Sequence, residues 1–255
     1  MNTPFLERIQ EYSLRQATIS LKELQQLHQK SVVKDSESDF FWQLQELKQQ
    51  KIVREIDAIT YKILSIFQPN LDANTLVLHQ HLASRFDLSN SCIWKSDWYN
   101  QFSRHQILQN FTVIEIEKET TESVFYELKD MNFGEVFLIL HKEDEAILDR
   151  YAFEAKNPII IQKMISKAPK QEIKVENDII SVPYLEKMLV DLFVDSALLV
   201  AYKGAEQIQI FRNILLNYVL DFKKMFAYAK RRGKENQLKV FLFENFENEI
   251  NQIFL

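Results

Sequence analysis

The sequence predicts a mixed α/β fold in two domains, a small N-terminal module over residues 1–66 and a larger α/β domain over 67–255 that ends in helices. Three observations predict it. The first third runs helix, short strand, helix, helix, hairpin by its apolar spacing. Residues 91–161 alternate short β-branched runs with amphipathic stretches. From residue 181 onward apolar side chains recur mainly at three- and four-residue spacing, a helical pattern.

In the first module, residues 5–14 read as a helix with Phe5, Leu6, Ile9 and Tyr12 inward. Thr18-Ile19 is short and β-branched. Ser20 and Glu23 have capping-box spacing and open a second helix with Leu21, Leu24 and Leu27 inward. After a polar loop at 30–38, a third helix is expected over 37–50, with Phe40, Leu44 and Leu47 on one face. Residues 52–56 and 59–64 read as strands joined only by Asp57-Ala58, a tight hairpin. That order is a winged helix-turn-helix, whose third helix enters the major groove. Its outward face carries Phe41, Trp42, Gln45, Lys48 and Gln49. Glutamine pairs with adenine, and an aromatic ring meets a thymine methyl. Lys48, Lys51, Arg54 and Lys62 are the candidates for phosphate contact. Acidic and basic residues balance over 1–66, so packing of Phe41 and Trp42 against a protein surface is the competing expectation.

The linker 67–70 holds Pro69 and marks the boundary. Residues 75–86 read as a helix with Leu78, Leu82 and Phe86 aligned. His79 and His81 diverge on such a helix, so they are no metal pair and are expected to be solvated or capping. Strands are expected at 91–94, 111–117, 136–140 and 158–161, the third of these buried. Helices are expected at 96–102, 121–131 and 142–154. The result is a mixed sheet with helices covering it. Residues 170–182 hold one or two further short strands.

A central helix is expected over 181–195, with Ser181 as cap, Pro183 in the first turn, and Leu185, Met188, Leu189, Leu192 and Phe193 on one face. Carboxylates on so apolar a helix need partners, which concerns Glu186, Asp191 and Asp195. Arg232 is the candidate for that internal ion pair. It sits at the apolar border of a helix over 221–232 whose buried side is Phe222, Met225, Phe226 and Ala229. Lys223, Lys230, Arg231 and Lys234 fall on the other side and are candidates for phosphate contact, a solvated face being the plain alternative. Helices over 206–220 and 236–255 complete the chain.

Composition excludes several chemistries. With 46% hydrophobic and 26% charged residues the chain is globular, not disordered. The formal net charge of -5 argues against a surface wholly given to nucleic acid and leaves room for a local basic face. The one cysteine, Cys92, allows neither an intramolecular disulfide nor a cysteine-built zinc site. With only Gly134, Gly204 and Gly233, no glycine-rich phosphate loop is present. No apolar run of about 18 residues exists, so no membrane span is expected. Residues 1–10 carry an acid, Glu7, and lack the run of a signal peptide, so the expected location is the cytoplasm. A nucleotidyltransferase needs a Gly-Ser turn and two closely spaced carboxylates, and this chain has no Gly-Ser. Cys92 and His105 are a nucleophile–base pairing whose spacing sets no geometry. No catalytic residue, cofactor or metal is expected.

Ile93-Trp94-Lys95-Ser96, His105-Gln106, Val113-Ile114-Glu115-Ile116, Val124-Phe125, the run from Leu185 to Asp191 and the run from Tyr228 to Arg232 form an ordered series. In order and spacing it resembles the AbiEi-type antitoxins of type IV toxin–antitoxin systems, over nearly the whole chain. The resemblance implies a phage-defence autorepressor whose winged domain reads inverted repeats in double-stranded promoter DNA, an arrangement that suits a homodimer. It implies a second domain that supplies the antitoxin effect and adds DNA affinity through a basic surface. The neighbouring gene would encode a nucleotidyltransferase toxin that the antitoxin need not touch. The alternative is a non-enzymatic adaptor that uses the winged module for protein–protein interaction.

Overall fold

The computed structural model describes residues 4–31, 37–108, 110–131, 133–176, 178–195 and 197–254. The polar loop expected at 30–38 falls mostly outside them, as does the end of the last helix at 255. The architecture is mixed α/β with a helical C-terminal part. The chain divides into two compact units. One is Met1–Phe67 with Arg212–Leu220 and Phe246–Leu255; the other is Gln68–Phe211 with Asp221–Asn245. Two segments that the sequence pattern assigns to the larger domain therefore belong with the first unit.

The first unit begins with α1 (Pro4–Ser13), β1 (Thr18–Ser20), α2 (Leu21–Gln29) and α3 (Glu37–Gln49). The capping box forms: Glu23 donates its backbone N–H to Ser20 Oγ at 3.2 Å, and Ser20 N–H donates to Glu23 Oε2 at 2.9 Å. Phe5, Ile9, Leu24, Phe40, Leu44 and Leu47 meet in one core, as their helical spacing requires. At the end of α3, Lys51 takes a left-handed φ of 59°, and Ile52 N–H reaches back to Leu47 O at 2.9 Å. That is a Schellman stop with lysine in the place usually given to glycine.

β2 (Val53–Glu55) and β3 (Thr60–Ile63) follow, and the sheet order is β1-β3-β2, antiparallel throughout. The hairpin is longer than the two-residue turn expected. Asp57 Oδ1 accepts the N–H groups of Ile59 and Thr60, each at 2.9 Å, so 56–59 form the turn. Beyond β3, Ser65 exchanges backbone hydrogen bonds with Asn217 and Val219, and Val219 packs against the core of this unit.

The second unit is built on a sheet of order β4-β5-β7-β6. Its strands are β4 (Cys92–Lys95), β5 (Thr112–Ile116), β6 (Val136–Ile139) and β7 (Ile159–Lys163). β4 is antiparallel to β5; β5, β7 and β6 are parallel. α4 (Ala73–Ala83) and α5 (Thr121–Asp130) contribute to the core on one face, where Leu78, Leu82, Val124 and Leu128 meet Ile114, Ile116, Ile159 and Ile161. Strand alternation turns Glu115 to the other face.

Several expectations are corrected. β6 is an edge strand and only half-buried, because β7 inserts between it and β5. Residues 142–154 hold a 3-10 turn at Lys142–Glu145 and a π-helical turn at Leu148–Ala152, not one α-helix. β8 (Lys170–Val175) and β9 (Asp178–Pro183) form an antiparallel hairpin. Ser181 therefore faces Glu172 and Pro183 faces Lys170 in a ladder, and neither starts a helix. The central helix, α6 (Leu185–Val194), starts after Tyr184. α7 (Ala205–Asn217), α8 (Phe222–Arg231, capped by Asp221) and α9 (Glu235–Phe254, non-helical at Phe246) follow. Among the described residues no helix is long and apolar enough to cross a membrane.

Candidate nucleic-acid interface

α3 presents two faces. Phe40, Leu44 and Leu47 are buried, while Phe41 and Trp42 are 43% and 61% exposed. Gln45 and Gln49 are also exposed, so four of the side chains assigned to base reading face solvent. Lys48 does not extend freely: its ammonium is paired with Glu55 on β2 and lies 5.3 Å from the centre of the Tyr61 ring. Lys51 reaches the carbonyl of Leu220 at 3.5 Å.

Arg54 and Lys62 are the second group. They stand directly opposite each other in the β2–β3 register. Both are half-buried, and neither has a hydrogen-bonded or ion-paired side-chain partner among the described residues. Burial lowers the pKa of each, and Arg54 lowers that of Lys62 further. Two like charges facing each other across strands disfavour the folded state. A cleft of about 630 Å³ in this unit is lined by Lys48, Lys51 and Arg54, with Glu55 and Asp57 also on its wall.

In the second unit, the outer side of α8 carries the exposed Lys223 and Lys230, with Arg231 and Lys234 exposed at and beyond its end. Arg231 is partly engaged, donating to the carbonyls of Lys167 and Ala227. Lys224, on the same exposed side, lies over the Tyr184 ring at 4.6 Å.

The inner side of α8 meets α6 in a buried charge cluster. Arg232 Nη1 donates to Asp191 Oδ1 at 2.8 Å, and Tyr228 donates to the same oxygen at 2.9 Å. Glu186 is not in that pair. It accepts the Asp221 N–H at 2.6 Å, and burial pushes its pKa up. Asp195 instead caps the turn after α6, accepting the N–H of Leu198 at 2.8 Å.

Lys187 completes the cluster and was not singled out by the sequence pattern. Its ammonium, 1% exposed, donates to Glu115 at 2.5 Å and Asp191 at 2.6 Å. Burial opposes its charge, but Asp191 and Glu115 overcome burial and hold its pKa well above the usual lysine range. Trp94 also donates to Glu115, at 2.8 Å. The signals were the Lys187–Asp191 spacing of one helical turn, and a glutamate inside the apolar strand Val113-Ile114-Glu115-Ile116. Two anions face two cations, all with partners, so the cluster acts as a cross-link between sheet and helices.

The remaining polar candidates resolve simply. Cys92 is fully buried and its thiol pKa is driven up by burial, whereas His105 is exposed and bonded to Glu206 at 2.5 Å. The histidines of α4 are neither solvated nor caps: His79 is buried, and His81 bonds Glu127 at 2.7 Å. Among the described residues no group of three His, Cys, Asp or Glu is placed to hold a metal ion.

A family model described as "Family of unknown function (DUF6577)" matches residues 39–248. Comparison with curated proteins finds no match.

Proposed function

The chain belongs to this family of unknown function, and we propose that it is a DNA-binding autorepressor and antitoxin of a type IV toxin–antitoxin operon, with a winged helix-turn-helix as its N-terminal module. The element order α1-β1-α2-α3-β2-β3 supports that reading, with α3 as recognition helix and the β2–β3 hairpin as wing. The observation that carries it is the Arg54–Lys62 pair: two adjacent cations on the hairpin that lack an acidic partner among the described residues. A phosphate group supplies the missing anion. Gln45 and Gln49 are exposed on α3 and suited to adenine, with Trp42 and Phe41 suited to thymine methyls. In the second unit, Lys223, Lys230 and Arg231 on α8 and Lys234 beyond its end are further candidates for phosphate contact. The partner gene product, a nucleotidyltransferase toxin, is opposed without required direct contact.

The test is binding of the full chain to a duplex carrying the region upstream of its own gene. Affinity falls steeply with salt, and Gln45→Ala lowers affinity for that duplex more than for an unrelated one. No shift with any upstream fragment at low salt sinks the reading.

A second reading, a non-enzymatic adaptor, draws on one observation: Trp42 is 61% exposed beside Phe41, while Lys48 is neutralised by Glu55. In that case Trp42→Ala abolishes assembly with a protein partner and leaves DNA affinity unchanged.

A further inference from the structure

A cavity of about 300 Å³ opens in the second unit, where α4, β5 and β7 begin. Part of its lining is apolar, from Leu78, Phe133, Pro158 and Ile159. The rest includes one ammonium, Lys95, and three carboxamides, Asn74, Asn110 and Asn157. Lys95 is bonded to Asp72 and lies 3.6 Å from Asp97, so two of its three protons have carboxylate acceptors and one is left over. Among the described residues, the side chains of Asn74 and Asn157 have no hydrogen-bond partner.

Asn157 is left-handed, with φ of 52°, and its carbonyl lies where only a glycine fits at 134: a Cβ there would be 2.6 Å from the oxygen. Asparagine is one of the few residues that enter the left-handed region readily. A left-handed asparagine whose carboxamide has no partner among the described residues, at the wall of a cavity, is a candidate binding position.

The chemistry of the lining narrows the ligand. Lys95 is matched by Asp72 and outweighed once Asp97 is counted, so the site has no surplus positive charge for a phosphate or carboxylate. A cation would meet the Lys95 ammonium. A neutral molecule fits, with a flat face for Phe133 and Ile159 and an edge of adjacent donors and acceptors for the carboxamides of Asn74 and Asn157, Asn110 being engaged with Asp97 and Ser96. One acceptor on it takes the last Lys95 proton. We propose that this cavity binds a nucleobase, presented by a free nucleoside or by an unstacked base of a single-stranded nucleic acid. The proposal stands apart from duplex binding by the N-terminal unit and survives its failure.

The test is calorimetric titration of the full chain with each of the four ribonucleosides, with their monophosphates, and with a short single-stranded oligonucleotide of mixed sequence. Two variants accompany it. Asn157→Gly suits the left-handed backbone, so the fold is kept while the carboxamide is lost. Val77→Trp, at a position 51% exposed on the cavity rim, fills the space from the solvent side. Saturable binding of at least one nucleoside is expected, weakened about tenfold by Asn157→Gly, the loss of one hydrogen bond, and abolished by Val77→Trp. Binding of the oligonucleotide alone, with the same sensitivity to both variants, assigns the unstacked base as source. The proposal is overturned if neither probe binds at millimolar concentration, if both variants bind like the parent, or if monophosphates bind more tightly than nucleosides.

Discussion

Arg54 and Lys62 face each other across β2 and β3, half-buried and without an acidic partner among the described residues. Such a pairing works against folding, and burial adds to the effect by lowering the pKa of both groups. On the proposed reading, a DNA phosphate is the anion that meets them.

Arg54→Gln therefore separates stability from binding. Removing one like charge from the cross-strand pair raises unfolding free energy by about 0.2–1 kcal/mol. Duplex affinity falls, and the slope of log K against log salt shrinks by about 0.9 for one lost phosphate contact. Urea unfolding and a salt series of binding isotherms measure the two effects. A variant that is less stable and binds duplex unchanged contradicts the assignment.

Glu55→Gln tests the neighbouring lysine from the opposite direction. The Lys48–Glu55 pair is surface-exposed, so stability changes by no more than about 1 kcal/mol. Lys48 is released, duplex affinity rises, and the salt slope grows by about 0.9. Lys48→Glu does the reverse. Equal affinity for parent and Glu55→Gln removes Lys48 from the interface.

Lys187→Met probes the buried cluster of the second unit. The substitution leaves Glu115 and Asp191 facing each other without the ammonium between them. Loss of one partner from a buried pair costs about 3–5 kcal/mol. Adding Glu115→Gln returns part of that, since only Asp191 then stays charged and it keeps Arg232 and Tyr228. Denaturant unfolding of the single and double variants checks this, and a single-variant loss below about 1 kcal/mol would falsify the cross-link.

What was legible in the sequence follows from the range of the interaction involved. The Ser20–Glu23 box and the Phe40, Leu44, Leu47 face are set within a turn or two of helix, and they formed as read. Ser181 and Pro183 carry a local signal that suits a helix start. The deciding interaction is the ladder to 170–175, which local spacing does not contain. Lys187 was hidden for the same reason. On a helical wheel it is one more lysine, and only a strand residue 72 positions earlier shows why it is buried. The free face of α3 was legible because exposure follows from the same periodicity that buries its other side. The Arg54–Lys62 pairing needed the hairpin register, and a turn longer than expected moved the strand ends.

Glu186 supplies a pH signature. Burial raises its pKa above the ordinary glutamate range, and the hydrogen bond from Asp221 N–H offsets this only in part. The folded state thus holds this proton more tightly than the unfolded chain does. Its contribution to stability is fully present below the unfolded pKa of about 4.3 and is lost as pH rises through the elevated folded value. Asp195, also raised by burial, acts in the same direction. Glu186→Gln keeps an oxygen to accept the Asp221 N–H and removes the titration. The variant then gains on the parent as pH increases, while Asp195 leaves a residual slope in both. Urea midpoints measured from about pH 4 to pH 7 display the divergence. Parallel curves would mean that Glu186 ionises alike in the folded and unfolded chain, and that the Asp221 hydrogen bond fully compensates its burial.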